Sequence, residues 1–233
     1  NLKKVYTTRF GGNHVHALSN VSFSVEQGEY VAVMGESGSG KTTLLNILAA
    51  LDKPTSGEVL LGGRNIVTIK EREISAFRRD NLGFVFQDFN LLDTFSIQDN
   101  IFLPLVLAGR TFPEMNARLQ PIAAKLEIEK ILRKYPYEVS GGEKQRAAVA
   151  RALITNPQLV LADEPTGALD SGTGKNIVSL LLSLAKKKDK TIVVVTHNAK
   201  LAEVADRVLR LSDGRIVSDE RVSSPKASEE IDW

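Results

Sequence analysis

Eight residues near the start of the chain constrain its fold more than any other feature. Gly35–Thr42 reads GESGSGKT, a complete G-x-x-x-x-G-K-[ST] pattern. It follows the apolar run Tyr30–Met34 and precedes helix-spaced leucines over Thr42–Leu51. Glycines let backbone N–H groups surround phosphate oxygens, and the positive end of a helix that begins at Lys41 favours an anion. We therefore predict a phosphate-binding loop between a strand and a helix, with Lys41 on the β- and γ-phosphates and the Thr42 hydroxyl on Mg²⁺.

Two later apolar runs are also typical of strands that are buried on both faces of a parallel sheet. Leu159–Ala162 stops at Asp163, and Thr191–Thr196 stops at His197. A helical pattern over Asp170–Lys188 separates them. This alternation of strands and helices predicts the α/β class.

Polar residues stand where these strands end. Asp163 lies at the carboxyl end of a buried strand, where α/β sheets bind ligands, so it can hold Mg²⁺. Glu164 is a candidate general base for an attacking water. His197 can hydrogen-bond a γ-phosphate or a water, although a lone histidine is more often structural. Gln87 ends the strand-like run Leu82–Phe86, and it is either a surface amide or a group that binds Mg²⁺ or orients water.

Two further sites have alternative interpretations. Ser140, Gly141 and Gly142 open an amphipathic helix, which indicates a second anion site or an ordinary N-cap with Glu143 completing a capping box, and both can hold at once. Tyr6 is either a half-buried strand residue or an aromatic surface on which a base stacks.

The parts outside the α/β core have their own patterns. Residues 1–30 are predicted as β structure, because Phe23 and Val25 alternate with serines. Asp213-Gly214 predicts a hairpin turn. Residues 88–156 are predicted as a helical insert, in which Pro121 should kink or end a helix over Glu114–Leu126.

Composition excludes several functions. The 233 residues carry a net charge of +2, which is weak for a nucleic-acid-binding domain, so no nucleic-acid partner is predicted. The absence of cysteine excludes disulfides and thiol chemistry. No apolar run approaches the roughly 18 residues that a membrane span needs.

In combination, these motifs resemble the ATP-binding subunit of an ABC transporter. Gly35–Thr42 resembles Walker A, Leu159–Glu164 resembles Walker B with its glutamate, and Val139–Glu143 resembles the LSGGQ signature. Gln87 corresponds to the Q-loop, Ala168-Leu169-Asp170 to the D-loop, and His197 to the switch histidine. Val139 and Glu143 depart from the commonest signature, which has Leu and Gln there.

The resemblance implies a P-loop NTPase (RecA-like) core with an N-terminal antiparallel β subdomain and a helical insert. One ABC ATPase domain is expected over residues 1–222, with its β subdomain at 1–30, its α/β core at 31–87 and 157–222, and its helical subdomain at 88–156. Residues 223–233 are expected to form a polar tail.

The resemblance also implies a set of site residues and their roles. The catalytic group is Glu164, His197, Gln87 and Lys41. The ATP-binding group is Tyr6, Gly35, Glu36, Ser37, Gly38, Ser39, Gly40, Lys41, Thr42 and Thr43. The signature group, acting on the nucleotide of a partner chain, is Ser140, Gly141, Gly142 and Glu143. Asp170 belongs to the D-loop, and Thr42, Gln87 and Asp163 form the metal group.

The implied cofactors are ATP and Mg²⁺. The implied partners are a second copy of the chain, joined on ATP binding, and a transmembrane permease that holds the ATPase at the cytoplasmic face of a bacterial membrane. The segment Gly83–Thr94 resembles the bacitracin- and lantibiotic-resistance type within the group that also exports macrolides and releases lipoproteins. Two alternatives stay open: a soluble ABC ATPase, for example one that regulates a cell-division complex, and a nucleotide-binding module without turnover.

Overall fold

A computed structural model describes residues 1–7, 12, 14–167, 169–186 and 190–231. The described strands, numbered in chain order, are β1 Leu2–Thr7, β2 His14–Val21, β3 Tyr30–Met34, β4 Leu60–Leu61, β5 Arg64–Asn65, β6 Leu82–Val85, β7 Leu159–Asp163, β8 Thr191–Thr196, β9 Arg207–Ser212 and β10 Arg215–Arg221. The described α-helices are α1 Lys41–Leu48, α2 Glu71–Asn81, α3 Ile97–Leu107, α4 Phe112–Leu126, α5 Gly141–Leu153, α6 Ser171–Lys186 and α7 Ala199–Glu203. Short 3-10 segments lie at Ile66–Thr68, Glu129–Ile131, Pro136–Glu138 and Ser228–Glu230.

A six-stranded sheet with the order β10-β9-β3-β8-β7-β6 forms the centre of the molecule. Five of its strands are parallel, and β10 alone pairs antiparallel, with β9. The carboxyl ends of the inner strands are level, because Met34 pairs with Thr196 and Asp163 pairs with Val195. The segments that follow β3, β8, β7 and β6 therefore emerge side by side at one edge of the sheet.

Alternate residues of the buried strands feed two hydrophobic cores. In β3, Ala32 packs into the core that the helical insert and α6 share, whereas Val31 and Val33 pack into the core beneath α1 and α2. Every residue of β3 is buried. The apolar runs in the sequence are continuous because both faces of the sheet are covered. The predicted α/β class is confirmed.

The N-terminal region confirms an antiparallel pair but contradicts one predicted strand. β1 pairs antiparallel with β2, whereas residues 22–26 form no strand. Phe23 and Val25 still pack against the second core, as their alternation with serine indicates. The Ser24 carbonyl accepts a hydrogen bond of 2.7 Å from the guanidinium of Arg207. A side chain thus takes the place of a strand partner at that carbonyl.

The helical insert contains α3, α4 and α5. Of the two outcomes predicted for Pro121, a kink or an end of the helix, the end is wrong. Helix α4 continues from Phe112 through Pro121 to Leu126. Pro121 and Ala117, four residues earlier, both lie on the exposed face. Water can therefore satisfy the Ala117 carbonyl, which loses its usual donor. The domain boundaries at 88 and 156 stay predictions.

Helix α1 ends earlier than its pattern suggested, whereas the end of α6 is not tested. Helix α1 ends at Leu48 instead of Leu51, and Ala50 takes a left-handed conformation with φ 54°. Helix α6 begins after Asp170, and the predicted end at Lys188 lies outside the described residues. Within the described part of the chain, every helix is too short or too polar to cross a membrane.

Candidate active site

The loop between β3 and α1 presents an open helix start. Gly40 is the N-cap of α1, with φ 102°, and no side chain caps the helix. A Cβ atom on Gly40 would lie 2.5 Å from the carbonyl oxygen of Ala17, so only glycine fits. The first N–H groups of α1 therefore have no side-chain acceptor, and together with the positive helix end they suit a phosphate.

Lys41 lies across this loop. Its Nζ donates hydrogen bonds of 2.7 Å to the carbonyl oxygens of Gly35 and Glu36. The Thr42 side chain is exposed and is free to meet a ligand. The turn between β9 and β10 anchors the loop, because the N–H of Gly214 donates a hydrogen bond of 3.0 Å to the carbonyl of Ser39. The Ser39 hydroxyl is buried, with no hydrogen-bond partner among the described residues.

Glu164 follows β7 and is held by the end of the neighbouring strand β8. Its Oε2 accepts a hydrogen bond of 2.8 Å from the Thr196 hydroxyl, and its Oε1 accepts one of 2.9 Å from the His197 N–H. The ring Nδ1 of His197 also lies 2.7 Å from Oε1, at hydrogen-bond distance. The carboxylate is 14% exposed, whereas the His197 side chain is 76% exposed. A candidate base and a candidate γ-phosphate ligand therefore lie in direct contact.

Asp163 has an environment that suits a divalent cation. Burial and the negative charge of Glu164 raise its pKa, while Lys41 opposes the shift. Among the described residues, no cluster of three or more His, Asp or Glu side chains could hold a metal ion by itself. Mg²⁺ commonly binds one or two protein oxygens together with phosphate oxygens. The donor set of Asp163, Thr42 and Gln87, all oxygen groups, fits that mode.

We expect Asp163→Asn to make the nucleotide-free chain more stable and less active. A raised carboxyl pKa means that Asp163 binds its proton more tightly in the folded chain than in the unfolded chain. Its contribution to stability is therefore full below its unfolded pKa. That contribution declines as the pH rises through the folded pKa. At neutral pH the ionised carboxylate therefore costs folding free energy, which asparagine removes. Thermal unfolding should show a higher Tm, by about 2–4 °C for each kcal/mol recovered, while Mg²⁺-ATP hydrolysis falls roughly 10-fold or more.

The control is Asp93→Asn, the same change at an exposed aspartate, which should leave the Tm unchanged. A lower Tm for Asp163→Asn would contradict the electrostatic account.

Gln87 completes the group at this edge of the sheet. Its side-chain amide lies against Gly167, because a Cβ atom added to Gly167 would be 3.3 Å from Nε2 of Gln87. The Gly167 N–H donates a hydrogen bond of 3.0 Å to the Glu164 carbonyl. The structure thus brings together the five predicted residues Lys41, Asp163, Glu164, His197 and Gln87.

The predicted signature residues form a second group, at the start of α5. Ser140 caps the helix, and its N–H and hydroxyl donate to Oε2 of Glu143 at 2.8 and 2.9 Å. The hydrogen bond from the Ser140 N–H is the main cause that lowers the pKa of Glu143. No hydrogen bond among the described residues joins Ser140 or Glu143 to the loop 35–42. The capping box is therefore present, and the anion site at this helix start stays a prediction.

The signature group adjoins the start of α6. A Cβ atom on Gly142 would lie 2.5 Å from Cγ2 of Thr173, so these two helices approach closely. Asp170 caps α6 by accepting the Thr173 N–H at 3.0 Å, a bond that lowers the pKa of Asp170. Ala168 of the predicted D-loop lies outside the described residues.

Tyr6 lies beside α1. Its hydroxyl donates to Asp52 Oδ2 at 2.7 Å, and Lys4 Nζ lies 4.7 Å from the ring centroid. Burial and the Asp52 hydrogen bond raise the Tyr6 pKa, while a side-chain hydrogen bond with Thr43 opposes the shift. The ring is partly exposed, so it can receive a base, although base stacking by Tyr6 stays a prediction.

The sequence patterns did not predict two residues of the site. Thr196 is fully buried and donates a hydrogen bond to Glu164. Its position as the last residue of a strand, directly before His197, could have indicated this role. Asp52 anchors both Lys4 and Tyr6, and no pattern in the sequence points to it.

The sheet carries a phosphate loop after β3 and two carboxylates at the carboxyl end of β7, with β8 between these two strands. This arrangement defines a P-loop nucleoside triphosphatase. The sequence profile described as ABC transporter matches residues 18–167. The chain therefore belongs to the ABC transporter family, as the ATP-binding and ATP-hydrolysing subunit.

Individual relatives agree with this family. YvcR, an uncharacterized ABC transporter ATP-binding protein of Bacillus subtilis, is 52% identical over 219 residues, covering 94% of this chain and 85% of YvcR. The bacitracin export ATP-binding protein BceA of Halalkalibacterium halodurans is 43% identical over 216 residues, covering 93% of this chain and 85% of BceA. Among solved structures, the dimeric post-hydrolysis state of the ATP-binding cassette MJ0796 of Methanocaldococcus jannaschii, bound to ADP and Pi, matches with a TM-score of 0.88. It is 40% identical, and the match covers 96% of this chain and 97% of that one.

Proposed function

We propose that two copies of this chain enclose two ATP molecules and power a separate membrane permease that exports peptide antibiotics of the bacitracin type or protects the cell against them. The observation that carries the hydrolytic part is the Glu164 carboxylate, which Thr196 and His197 hold beside Asp163 at the edge of the sheet. The similarity to BceA supports the antibiotic part.

The two helix starts support the proposed pairing of two chains. The start of α1 lacks a side-chain cap, and the start of α5 presents the Ser140 hydroxyl and N–H beside Glu143. One triphosphate within one chain needs only the first. In the pair, Ser140 of one copy would turn its hydroxyl from Glu143 to the γ-phosphate on the other copy. The high exposure of His197 supports the same arrangement, because a second copy would exclude water from that side.

The reaction then depends mainly on positioning and electrostatics. Lys41 would exchange its two loop carbonyl partners for phosphate oxygens, and Glu164 would accept a proton from the attacking water. The His197 ring would move away from the Glu164 carboxylate and donate a hydrogen bond to the γ-phosphate. Thr42, Asp163 and Gln87 would hold Mg²⁺, which supplies charge neutralisation on the phosphates when bound.

The segment after Gln87 is the proposed contact with the permease. Within Gln87–Asn100, Leu92 and Phe95 are 45% and 40% exposed. Fully buried Asn100 organises this segment, because its amide donates to the carbonyls of Leu92, Phe95 and Ser96 and its Oδ1 accepts the Leu92 N–H. The result is an apolar surface on a firmly held loop, which suits a helix of a membrane protein.

The test replaces both exposed residues, as Leu92→Ser with Phe95→Ser. In the native host, cells with the variant should lose resistance to bacitracin, while ATP hydrolysis by the purified chain stays within about twofold of wild type, because surface changes of this kind rarely disturb a fold. Leu107→Ser is the matched control, since Leu107 is 70% exposed in the same helical insert but outside the segment. Unchanged bacitracin resistance in cells with the double variant would contradict the proposed contact. Unchanged resistance in cells that lack the chain altogether would contradict the cargo.

A further inference from the structure

Helix α5 contains a glutamine that is shielded from water. Gln145 is fully buried, and its Nε2 donates a hydrogen bond of 2.7 Å to the carbonyl oxygen of Pro165. Its Oε1 is also buried and has no hydrogen-bond partner among the described residues. A buried amide oxygen without a partner lowers the free energy of unfolding. Residues that reduce stability in this way commonly stand where function needs them.

The acceptor of this hydrogen bond belongs to the residue that follows Glu164. Glu164 has φ 44°, a left-handed conformation that is costly for any residue except glycine. The ring of Pro165 further restricts the backbone of the residue before it. Glu164 therefore keeps its backbone conformation only because its surroundings hold it there.

Three hydrogen bonds hold the backbone at Glu164 and Pro165. The Glu164 N–H donates to the Val195 carbonyl at 2.9 Å, and the Gly167 N–H donates to the Glu164 carbonyl at 3.0 Å. The third is the bond from Gln145, which alone comes from α5. The Pro165 carbonyl belongs to the peptide that joins Pro165 to Thr166, so the Gln145 bond restrains the backbone directly after Glu164.

We propose that Gln145 is a positioning residue, which fixes the Pro165 peptide and thereby aims the Glu164 carboxylate. This inference rests on the proposed role of Glu164 as the general base. It adds a connection within one chain: the helix whose first turn would bind the partner's nucleotide also supports the base beside its own nucleotide. Closure of the two chains on one ATP would then affect the position of Glu164 at the other site.

The test is Gln145→Met, which preserves the length and apolar packing of the side chain and removes the N–H donor. Turnover of Mg²⁺-ATP should fall roughly 10- to 100-fold, the scale expected for a small misplacement of a catalytic group. ATP affinity should stay within about twofold of wild type. The Tm should change little, because removal of the unpartnered Oε1 offsets the loss of the donor to the buried Pro165 carbonyl. Amide hydrogen exchange at Gly167, whose acceptor is Glu164, should become faster. Gln120→Met, the same change on the exposed face of α4, is the matched control and should leave all of these values unchanged.

A double variant separates positioning from other roles. If Gln145 acts through Glu164, Gln145→Met should reduce the residual turnover of Glu164→Gln by less than about twofold. The same fold loss in both backgrounds would overturn the proposal, as would wild-type turnover of Gln145→Met. Gln145→Leu is measured in parallel, and wild-type turnover of this second apolar variant would also overturn the proposal, because it lacks the same N–H donor. Full turnover of Glu164→Gln alone would instead contradict the proposed function.

Discussion

Replacement of Glu164 by glutamine is expected to lower ATP turnover roughly 10²- to 10⁴-fold, the range over which a general base contributes. Glutamine has the same shape and can still accept hydrogen bonds from the His197 N–H and ring. It cannot accept the proton of the attacking water. The fold and the ATP affinity should therefore persist, and the ATP-bound pair of chains should accumulate.

The measurements are phosphate release with Mg²⁺-ATP and the molecular mass of the purified variant with and without ATP. Glu129→Gln makes the same change at an exposed glutamate and should behave like wild type. Full turnover by Glu164→Gln would remove this residue from the mechanism. A variant that binds ATP but stays monomeric would contradict the proposed pairing.

Replacement of Lys41 by alanine is expected to weaken ATP binding roughly 10- to 100-fold, because hydrogen bonds from a charged group contribute about 1.5–3 kcal/mol. In the nucleotide-free chain the ammonium group holds the carbonyls of Gly35 and Glu36. Phosphate oxygens would replace these carbonyls as partners. Since water can reach the loop, the Tm should change little.

A direct titration with ATP measures this effect. Lys53→Ala removes another lysine, one that forms an exposed ion pair with Glu71, and should leave the affinity unchanged. Equal ATP affinity for wild type and Lys41→Ala would contradict the phosphate role of Lys41.

Local patterns predicted those parts of the fold that depend on neighbours in sequence. β3 and β8 have the predicted bounds, and the Asp213-Gly214 turn joins β9 to β10 as expected. The predictions failed where the tertiary surroundings of a residue decided the outcome. Residues 22–26 have the alternation of a strand, but a guanidinium from β9 takes the Ser24 carbonyl. Pro121 does not end α4, because the affected carbonyl faces solvent.

The sequence alone determined the phosphate loop, the α/β class and the family. The reason is that a glycine-rich turn between a strand and a helix is a local backbone geometry, encoded by adjacent residues. Only the tertiary structure decided what surrounds the catalytic carboxylate. Thr196, His197 and Gln145 are far from Glu164 in sequence, and they reach it because β8 lies beside β7 and α5 packs beside the segment after β7. Strand order and helix packing arise from burial of the whole chain, which no single motif records.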